Sequence, residues 1–205
     1  MIEVAQDIIE NLKNGGVGIL PTDTIYGLVG SALSKKAVER IYKLKKRNPK
    51  KPFIILIADV DDLKKFGVAL GKPAKKILGE FWPGSVSVIL RCPKLKRELS
   101  YLKPFNKTLA FRCPKARWLN DLLKTAGPLV APSANPEGAP PAETIKQAKK
   151  YFTCPVGSPA GDSFRGGKVD FYVDVGKIKG LPSTLISLEK GKIMVLREGK
   201  IKIKI

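Results

Sequence analysis

The sequence contains no histidine, and this absence excludes several classes of enzyme site. Ser-His and Cys-His nucleophilic systems, histidine-ligated zinc and imidazole general bases all need that side chain. Cysteine is scarce as well: Cys92, Cys113 and Cys154 are widely spaced, each is followed by proline, and no C-x-x-C pair occurs. An odd number of isolated cysteines is typical of structural thiols rather than of a disulfide framework or a metal site.

No long apolar run is present either. A membrane-spanning helix needs roughly 18 apolar residues in succession, and the N-terminus carries acidic residues where a signal peptide would carry a basic and then an apolar stretch. We therefore expect a cytoplasmic protein without membrane contact. The 205 residues are enough for one good core, so we expect a single domain over residues 1–205 with no extra C-terminal domain.

Positive charge, by contrast, is abundant. Lysine and arginine number 38 against 18 aspartates and glutamates, which gives a formal net charge of +20. Such an excess attracts polyanions such as nucleotides, pyrophosphate or RNA. Dispersed lysines that only keep a protein soluble give the same total, so local clustering must decide between the two interpretations.

Hydrophobic periodicity predicts alternating helices and strands. The helices are expected at residues 5–12, 34–48, 73–81, 115–124 and 142–151. The strands are expected at residues 17–20, 53–57, 86–90, 108–112, 128–131, 171–175, 184–188 and 193–196, with a last one in the alternating tail 200–205. Glycine-rich residues 154–168 indicate a long loop that could act as a lid. The pattern predicts an α/β domain with a twisted, mixed sheet covered by helices.

The densest basic cluster lies at residues 43–51, where six of nine residues are Lys or Arg. It spans the predicted end of a helix and the start of a buried strand, and loops at such edges of an α/β sheet commonly bind ligands. The same charges suit a solvated helix end whose lysines complement the helix dipole. The cluster alone leaves both interpretations open.

Two polar turns follow predicted strands. Residues 21–28 read P-T-D-T-I-Y-G-L, and residues 131–136 place Ser133 and Asn135 between prolines. Such groups can hold a small polar ligand, although the same residue types also form ordinary turns. Neither segment matches G-x-x-x-x-G-K-[ST] or G-x-G-x-x-G, which argues against a Walker or Rossmann nucleotide site.

These segments occur in one order with several further motifs. The set comprises Gly15-Gly16, residues 21–28, a K-x-R at Lys45-Lys46-Arg47, Lys51-Pro52, F-W-P-G at residues 81–84, Arg112-Cys113-Pro114, an S-x-N at Ser133-Ala134-Asn135, Ser183-Thr184 and L-R-x-G at residues 196–199. Together they resemble the YrdC family over residues 10–199, and in particular its threonylcarbamoyl-AMP synthases. The YciO-like group of this fold tends to lack K-x-R and S-x-N, both of which are intact here.

Two positions depart from the family pattern. Proline usually follows the signature arginine directly, but here Asn48 stands before Pro49, and Glu137 stands where many members carry a serine just beyond S-x-N. Residues 154–168 also match the pattern poorly.

The resemblance implies a YrdC-like fold with a basic central crevice and a specific reaction. In that reaction L-threonine, bicarbonate and ATP condense to L-threonylcarbamoyl-AMP and pyrophosphate, and other proteins transfer the threonylcarbamoyl group to adenosine at position 37 of tRNA. A carbamate formed from threonine and bicarbonate is already an anionic nucleophile, so no catalytic histidine is required. The enzyme has to position the reactants and stabilise charge at phosphorus.

The resemblance also implies the site residues. Lys45 and Arg47 would be catalytic, and the ATP-binding set would be Arg47, Lys51, Thr108, Ser133, Asn135 and Arg197. Threonine would be held by Thr24, Arg112 and Ser183. Mg²⁺ is expected on the triphosphate rather than in a dedicated protein site. We also expect replacement of Lys45 or Arg47 by alanine to leave the fold intact, because these charges should lie outside the apolar core.

Two other classes of protein remain as alternatives. An RNA-binding module would use the +20 charge to follow a phosphate backbone, but no RNA-binding signature is present and the aromatic residues are not interleaved with the basic cluster. Direct contact with tRNA or double-stranded RNA is compatible with either function. A small-carbonyl enzyme on a similar scaffold is disfavoured by the missing histidine.

Overall fold

The structure is a computed structural model that describes residues 6–48, 51–152, 168–189 and 192–203. Its α-helices are α1 (Gln6–Lys13), α2 (Lys35–Lys45), α3 (Lys72–Phe81), α4 (Arg117–Ala126) and α5 (Ile145–Phe152). Its strands are β1 (Val17–Pro21), β2 (Tyr26–Ser31), β3 (Ile54–Leu56), β4 (Val86–Arg91), β5 (Thr108–Arg112), β6 (Leu129–Val130), β7 (Phe171–Tyr172), β8 (Thr184–Glu189) and β9 (Lys192–Arg197). Two 3₁₀ helices, Val60–Phe66 and Arg97–Leu102, complete the described elements.

The strands form one mixed sheet in the order β7-β1-β2-β6-β3-β5-β4-β8-β9. Three neighbouring pairs are parallel, namely β1 with β7, β3 with β5, and β4 with β8. The other five neighbouring pairs are antiparallel. The predicted α/β class with a mixed sheet is therefore confirmed.

Helices cover both faces of the sheet. Strands β1 and β2 are buried along their whole length. Ile19 of β1 belongs to a core cluster that includes Ile41 of α2, and its neighbour Leu20 belongs to a second cluster that includes Leu12 of α1 and Leu119 of α4. Successive side chains of a strand point to opposite faces, so α2 lies on one side of the sheet and α1 with α4 on the other.

All the helices predicted from periodicity are present, as are the predicted strands except the one in the tail. The tail prediction is wrong for the residues described, because residues 200–203 form no strand; there Lys200 N–H donates to the carbonyl of Pro182 at 2.9 Å. Strand β2 was missed, since Gly27 and Gly30 give its segment the composition of a turn. The packing explains Gly30, because a Cβ there would lie 3.1 Å from the Cβ of Ala37 in α2.

Two further expectations concern the loop at residues 154–168 and contact with a membrane. The loop predicted at residues 154–168 lies outside the described residues, apart from Lys168. None of the helices in the described ranges is long and apolar enough to cross a membrane.

The close approach of β1 and β7 generates a stability prediction. Gly18 pairs with Phe171, and a Cβ on Gly18 would lie 2.2 Å from the phenylalanine ring, whereas a Cβ on Gly79 of α3 would meet nothing within 4 Å. We expect Gly18→Ala to lower the free energy of unfolding by about 1–3 kcal/mol through overpacking. Gly79→Ala should raise it by about 0.5–1 kcal/mol, because alanine favours a helix interior.

Urea unfolding of the two variants and the parent protein measures this difference. If Gly18→Ala were as stable as the parent protein, the tight β1–β7 contact would be contradicted.

Candidate active site

A cavity of about 580 Å³ opens above the strands β3, β5, β4 and β8 and is bounded by the two polar turns. Eight of the ten residues predicted for the site line it: Thr24, Arg47, Lys51, Thr108, Arg112, Ser133, Ser183 and Arg197. Lys45 and Asn135 lie behind the wall rather than in the lining. The roles assigned to these ten residues remain predictions, but most of them surround a single cavity.

The sheet forms the floor of the cavity. Thr108, Ala110 and Arg112 alternate along β5 and therefore point to one face, and Ile89 of β4 pairs directly with Ala110. Both strands are paired on each side within the sheet, so the floor is a continuous sheet surface. Polar residues thus stand at both ends of β5, with an apolar surface between them.

One end of the cavity is organised by a buried ion pair. Nη2 of Arg112 lies 3.0 Å from Oδ1 of Asp23, and the two side chains are only 4% and 8% exposed. Nη1 of Arg112 donates to Oγ1 of Thr24 at 3.1 Å, and the hydroxyl of Ser85 donates to Oδ2 of Asp23 at 3.1 Å. These contacts hold the guanidinium in one orientation.

One donor of Arg112 nevertheless has no partner among the described residues. Its Nε–H makes no hydrogen bond to any part of the chain that the structure describes. Burial lowers the pKa of Arg112, and the charge of Asp23 opposes this effect. A buried donor of this kind is costly to leave unsatisfied, so Nε–H favours the binding of an acceptor such as a ligand carboxylate.

The cations of the cavity also influence one another. Burial lowers the pKa of Arg197, and the charge of Arg47 lowers it further. Arg197 in turn contributes to the lowered pKa of Arg112. Three guanidinium groups share the cavity with Lys51, and no carboxylate is found in its described lining. Such a concentration of positive charge attracts anions.

Ser183 connects Arg197 to the sheet. Nη2 of Arg197 donates to the carbonyl of Ser183 at 2.8 Å and approaches its Oγ at 3.3 Å. The hydroxyls of Ser183 and Ser87 lie 2.8 Å apart, and both residues are buried. The contacts with Ser183 therefore fix the orientation of the Arg197 guanidinium.

The Arg47 side chain is held by the chain that follows it. Its Nε donates to the carbonyl of Lys51 at 3.0 Å, and its Nη2 donates to the carbonyl of Pro52 at 3.3 Å. Its guanidinium also lies 5.3 Å from the ring centroid of Phe53, which packs at 4.2 Å on the ring of Tyr42. The two hydrogen bonds and the cation–π contact with Phe53 together hold the Arg47 side chain in the cavity wall.

The S-x-N turn is joined to β2 by main-chain hydrogen bonds. Leu28 N–H donates to the carbonyl of Pro132 at 2.8 Å, and Ala134 N–H donates to the carbonyl of Tyr26 at 2.9 Å. The Asn135 side chain serves the turn itself, since Nδ2 donates to the carbonyl of Ala139 at 2.7 Å. Strand β2 begins in the first polar turn and is hydrogen-bonded to the second, so the two polar turns are neighbours.

Lys45 differs from the expectation that it lies outside the core. It is 2% exposed, and its Nζ donates to the carbonyls of Ser133 at 2.6 Å and of Asn135 at 2.5 Å, with Oδ1 of Asn135 at 3.5 Å. All three N–H donors therefore have acceptors in the S-x-N turn. Replacement of Lys45 by alanine would leave these carbonyls without a donor, so the reason given for an intact fold is wrong for this residue.

Sequence reasoning missed the partners of the predicted residues. Asp23, which pairs with Arg112, was recognised only as part of a polar turn, and Phe53, which supports Arg47, was assigned only to a strand. A buried arginine predicted in a ligand site is a signal to search for a carboxylate. No group of three or more His, Cys, Asp or Glu that could hold a metal ion occurs among the described residues.

Comparison with known protein families gives one model covering most of the chain. Residues 10–199 match the Sua5/YciO/YrdC model, whose description is telomere recombination. A relative from Methanocaldococcus jannaschii, named a putative threonylcarbamoyl-AMP synthase, is 32% identical over 206 residues, which cover 98% of this chain and 90% of the relative. The threonylcarbamoyl-AMP synthase of Pyrococcus abyssi is 29% identical over 191 residues, which cover 92% of this chain and 52% of the relative.

Solved structures show the same fold. The crystal structure of P. abyssi Sua5 complexed with L-threonine superposes with a TM-score of 0.77 at 28% identity, covering 94% of this chain and 53% of that one. E. coli YciO superposes with a TM-score of 0.73 at 25% identity, covering 94% of this chain and 87% of that one. The chain therefore spans about half the length of the P. abyssi protein and most of the length of YciO.

The burial of Lys45 predicts a specific dependence of stability on pH. The pKa of Lys45 is lowered from 10.5 to about 7, chiefly by burial and also by the nearby charge of Arg47, while Glu137 opposes the shift. Between these two pH values the unfolded chain binds a proton that the folded protein has released. The free energy of unfolding should therefore rise with pH in this window.

Urea unfolding of the parent protein and of Lys45→Met at intervals from about pH 6.5 to about pH 9.5 isolates the effect. Other titrating groups are common to both proteins, so only the parent protein should gain this increment of stability. Parallel pH curves would contradict the burial of a titrating lysine.

Proposed function

The chain belongs to the Sua5/YciO/YrdC family, and on that premise we propose that it is an L-threonylcarbamoyladenylate synthase. It condenses L-threonine, bicarbonate and ATP to threonylcarbamoyl-AMP and pyrophosphate, which makes it a nucleotidyltransferase that serves threonylcarbamoyladenosine formation at position 37 of tRNA. The observation that carries the proposal is the single cavity in which the K-x-R and S-x-N segments meet above Arg112. The synthase names of its relatives and the threonine complex of P. abyssi Sua5 support it.

Threonine is proposed to bind at the end of the cavity that contains the buried ion pair. Its carboxylate would accept from the unpartnered Nε–H of Arg112. The hydroxyls of Thr24 and Ser183 line the same end and can hydrogen-bond the polar groups of the amino acid. Asp23 would keep Arg112 charged and correctly oriented while the cavity is empty.

ATP is proposed to bind along the cationic wall. Arg47, Lys51 and Arg197 would contact the phosphates, with the two arginines suited to bidentate contact. Ser133 would contribute its hydroxyl, and Asn135 would act through the shape of the turn. Thr108, whose Oγ1 donates to the carbonyl of Phe105 at 2.6 Å, would contact the nucleoside at the opposite end of β5.

The chemical step needs charge stabilisation more than proton transfer. The amine of threonine and bicarbonate form a carbamate with loss of water. A carbamate oxygen then forms a bond to the α-phosphorus, while the bond from that phosphorus to the β-bridging oxygen breaks and its electron pair leaves with pyrophosphate. Arg47, Lys51 and Arg197 would stabilise the charge that develops on the leaving group.

Mg²⁺ is proposed to enter with ATP. Mg²⁺ prefers oxygen ligands and commonly binds through substrate phosphates. The cavity lining contains no carboxylate among the described residues, which fits a metal ion carried by the triphosphate. We therefore assign no residue of this chain as a metal ligand.

Lys45 is proposed to support the site rather than to touch the substrate. Its ammonium group holds the carbonyls of the S-x-N turn, and the adjacent Lys46 ends helix α2 in the left-handed conformation with φ of 49°. The helix end and the turn would thereby place Arg47 and Ser133 opposite each other. The catalytic charge in the K-x-R signature would then be that of Arg47.

The proposal includes a cytoplasmic location and transient partners. The proteins that transfer the threonylcarbamoyl group would accept the product, and direct contact with tRNA or double-stranded RNA is open to test. An RNA-binding module without chemistry would bind RNA in a strongly salt-dependent manner and release no pyrophosphate.

Substrate omission tests the reaction itself. With Mg²⁺, ATP, L-threonine and bicarbonate present, mass spectrometry should detect threonylcarbamoyl-AMP, and pyrophosphate should appear in equal amount. Omission of either threonine or bicarbonate should abolish both products. Pyrophosphate release without threonine, or no product with all substrates present, would refute the proposed function.

Two substitutions should separate the ends of the cavity. Arg47→Ala should reduce kcat/KM for ATP by about 100-fold or more, because it removes charge stabilisation from the transition state. Thr24→Val should raise KM for threonine by about tenfold, because it removes the hydroxyl bonded to Arg112.

Steady-state kinetics with each substrate varied in turn measures both effects. Arg117→Ala and Thr125→Val, which make the same kinds of change in α4 outside the cavity lining, serve as controls. Equal effects of Arg47→Ala and Arg117→Ala would show that only the total charge matters.

A further inference from the structure

Glu137 joins the two signature segments at the rim of the cavity. Its Oε1 lies 2.7 Å from Nζ of Lys51, and its Oε2 accepts from the backbone N–H of Asn48 at 2.8 Å. Its own backbone N–H donates to the carbonyl of Lys45 at 2.8 Å. One carboxylate therefore contacts two residues of the basic segment while its main chain is fixed to the end of α2.

The ion pair lies at the border between the cavity and solvent. Lys51 lines the cavity whereas Glu137 does not, and their side chains are 58% and 30% exposed. Exposed ion pairs of this kind contribute little to stability and exchange partners readily. A ligand with more negative charge than a carboxylate can therefore displace Glu137 from Lys51.

The charge of Glu137 also reaches the neighbouring cations. It acts to raise the pKa of Arg47, which burial lowers, and of Lys45. The carboxylate thus places a negative charge close to the wall where the triphosphate is proposed to bind.

We propose that Glu137 is a resident competitor of the triphosphate, which holds Lys51 while the cavity is empty and lowers the affinity for ATP and pyrophosphate. The inference rests on the proposed function, because it takes Lys51 as a phosphate ligand. On binding, Lys51 moves its ammonium group from the carboxylate to a phosphate oxygen. On release of pyrophosphate, Glu137 recaptures Lys51 and so favours departure of the product.

Isothermal titration calorimetry with Mg·ATP and with Mg·pyrophosphate tests the inference without turnover. Glu137→Gln keeps an acceptor for the Asn48 N–H and removes the charge, and Glu137→Ser removes the charge and shortens the side chain. Both variants should bind both ligands about fivefold more tightly, as expected for the loss of one nearby charge in a well-solvated place. The affinity for L-threonine should stay unchanged, because its end of the cavity lies at Arg112.

Two control variants make the interpretation specific. Glu80→Gln removes an exposed carboxylate from α3, outside the cavity lining, and should not change the affinity for ATP. In the Lys51→Met background, Glu137→Gln should lose at least half of its effect, because the captured cation is absent. Far-UV circular dichroism and thermal unfolding establish that each variant is folded.

Unchanged or weaker binding of ATP and pyrophosphate by both folded Glu137 variants would overturn the inference. An equal gain in Glu80→Gln would overturn it too, because it would assign the effect to total charge. Failure of the proposed function is seen separately, as a parent protein that binds ATP but forms no threonylcarbamoyl-AMP. A parent protein that binds neither ligand would refute both.

Discussion

The arrangement of the site depends on the hydrogen bonds from the buried ammonium group of Lys45 to the S-x-N turn. Its donors reach the carbonyls of Ser133 and Asn135, which lie 88 and 90 residues further along the chain. The contact fixes the end of helix α2 against the turn that follows β6. Arg47 lies two residues after Lys45, and Ser133 lies in the turn itself. Both residues therefore line the same cavity. Burying a lysine amino group among carbonyl groups is costly in isolation, so its presence here favours a role in positioning the site.

Most of the fold could be predicted from the sequence alone, because the spacing of the apolar residues indicates which positions of a helix or strand are buried. The continuous apolar run at residues 53–57 identified β3, and Ser34 was correctly expected to begin α2, where its hydroxyl accepts from Ala37 N–H. Strand β2 was missed because its glycines carry no apolar signal, although Gly30 is required for close packing with α2. The strand predicted in the tail is absent from its described residues 200–203, since alternation of lysine and isoleucine is compatible with a strand but supplies no neighbour to pair with.

The site residues and the reaction were both predicted from the resemblance to a family. Eight of the ten predicted residues line one cavity, but no sequence pattern shows that Asp23 pairs with Arg112 or that Glu137 pairs with Lys51. These pairs join segments far apart in sequence, and local propensity contains no information about them. The burial of Lys45 was missed for the same reason, because a lysine in a basic cluster is usually solvated.

The orientation of Lys45 in the presence of nucleotide tests this account most directly. A crystal structure with Mg²⁺, a non-hydrolysable ATP analogue and L-threonine would measure the distance from its Nζ to the nearest phosphate oxygen. We expect Nζ to keep its hydrogen bonds to the carbonyls of Ser133 and Asn135 while Arg47 contacts the phosphates. Lys45 hydrogen-bonded to a phosphate, with its bonds to the turn broken, would contradict the account.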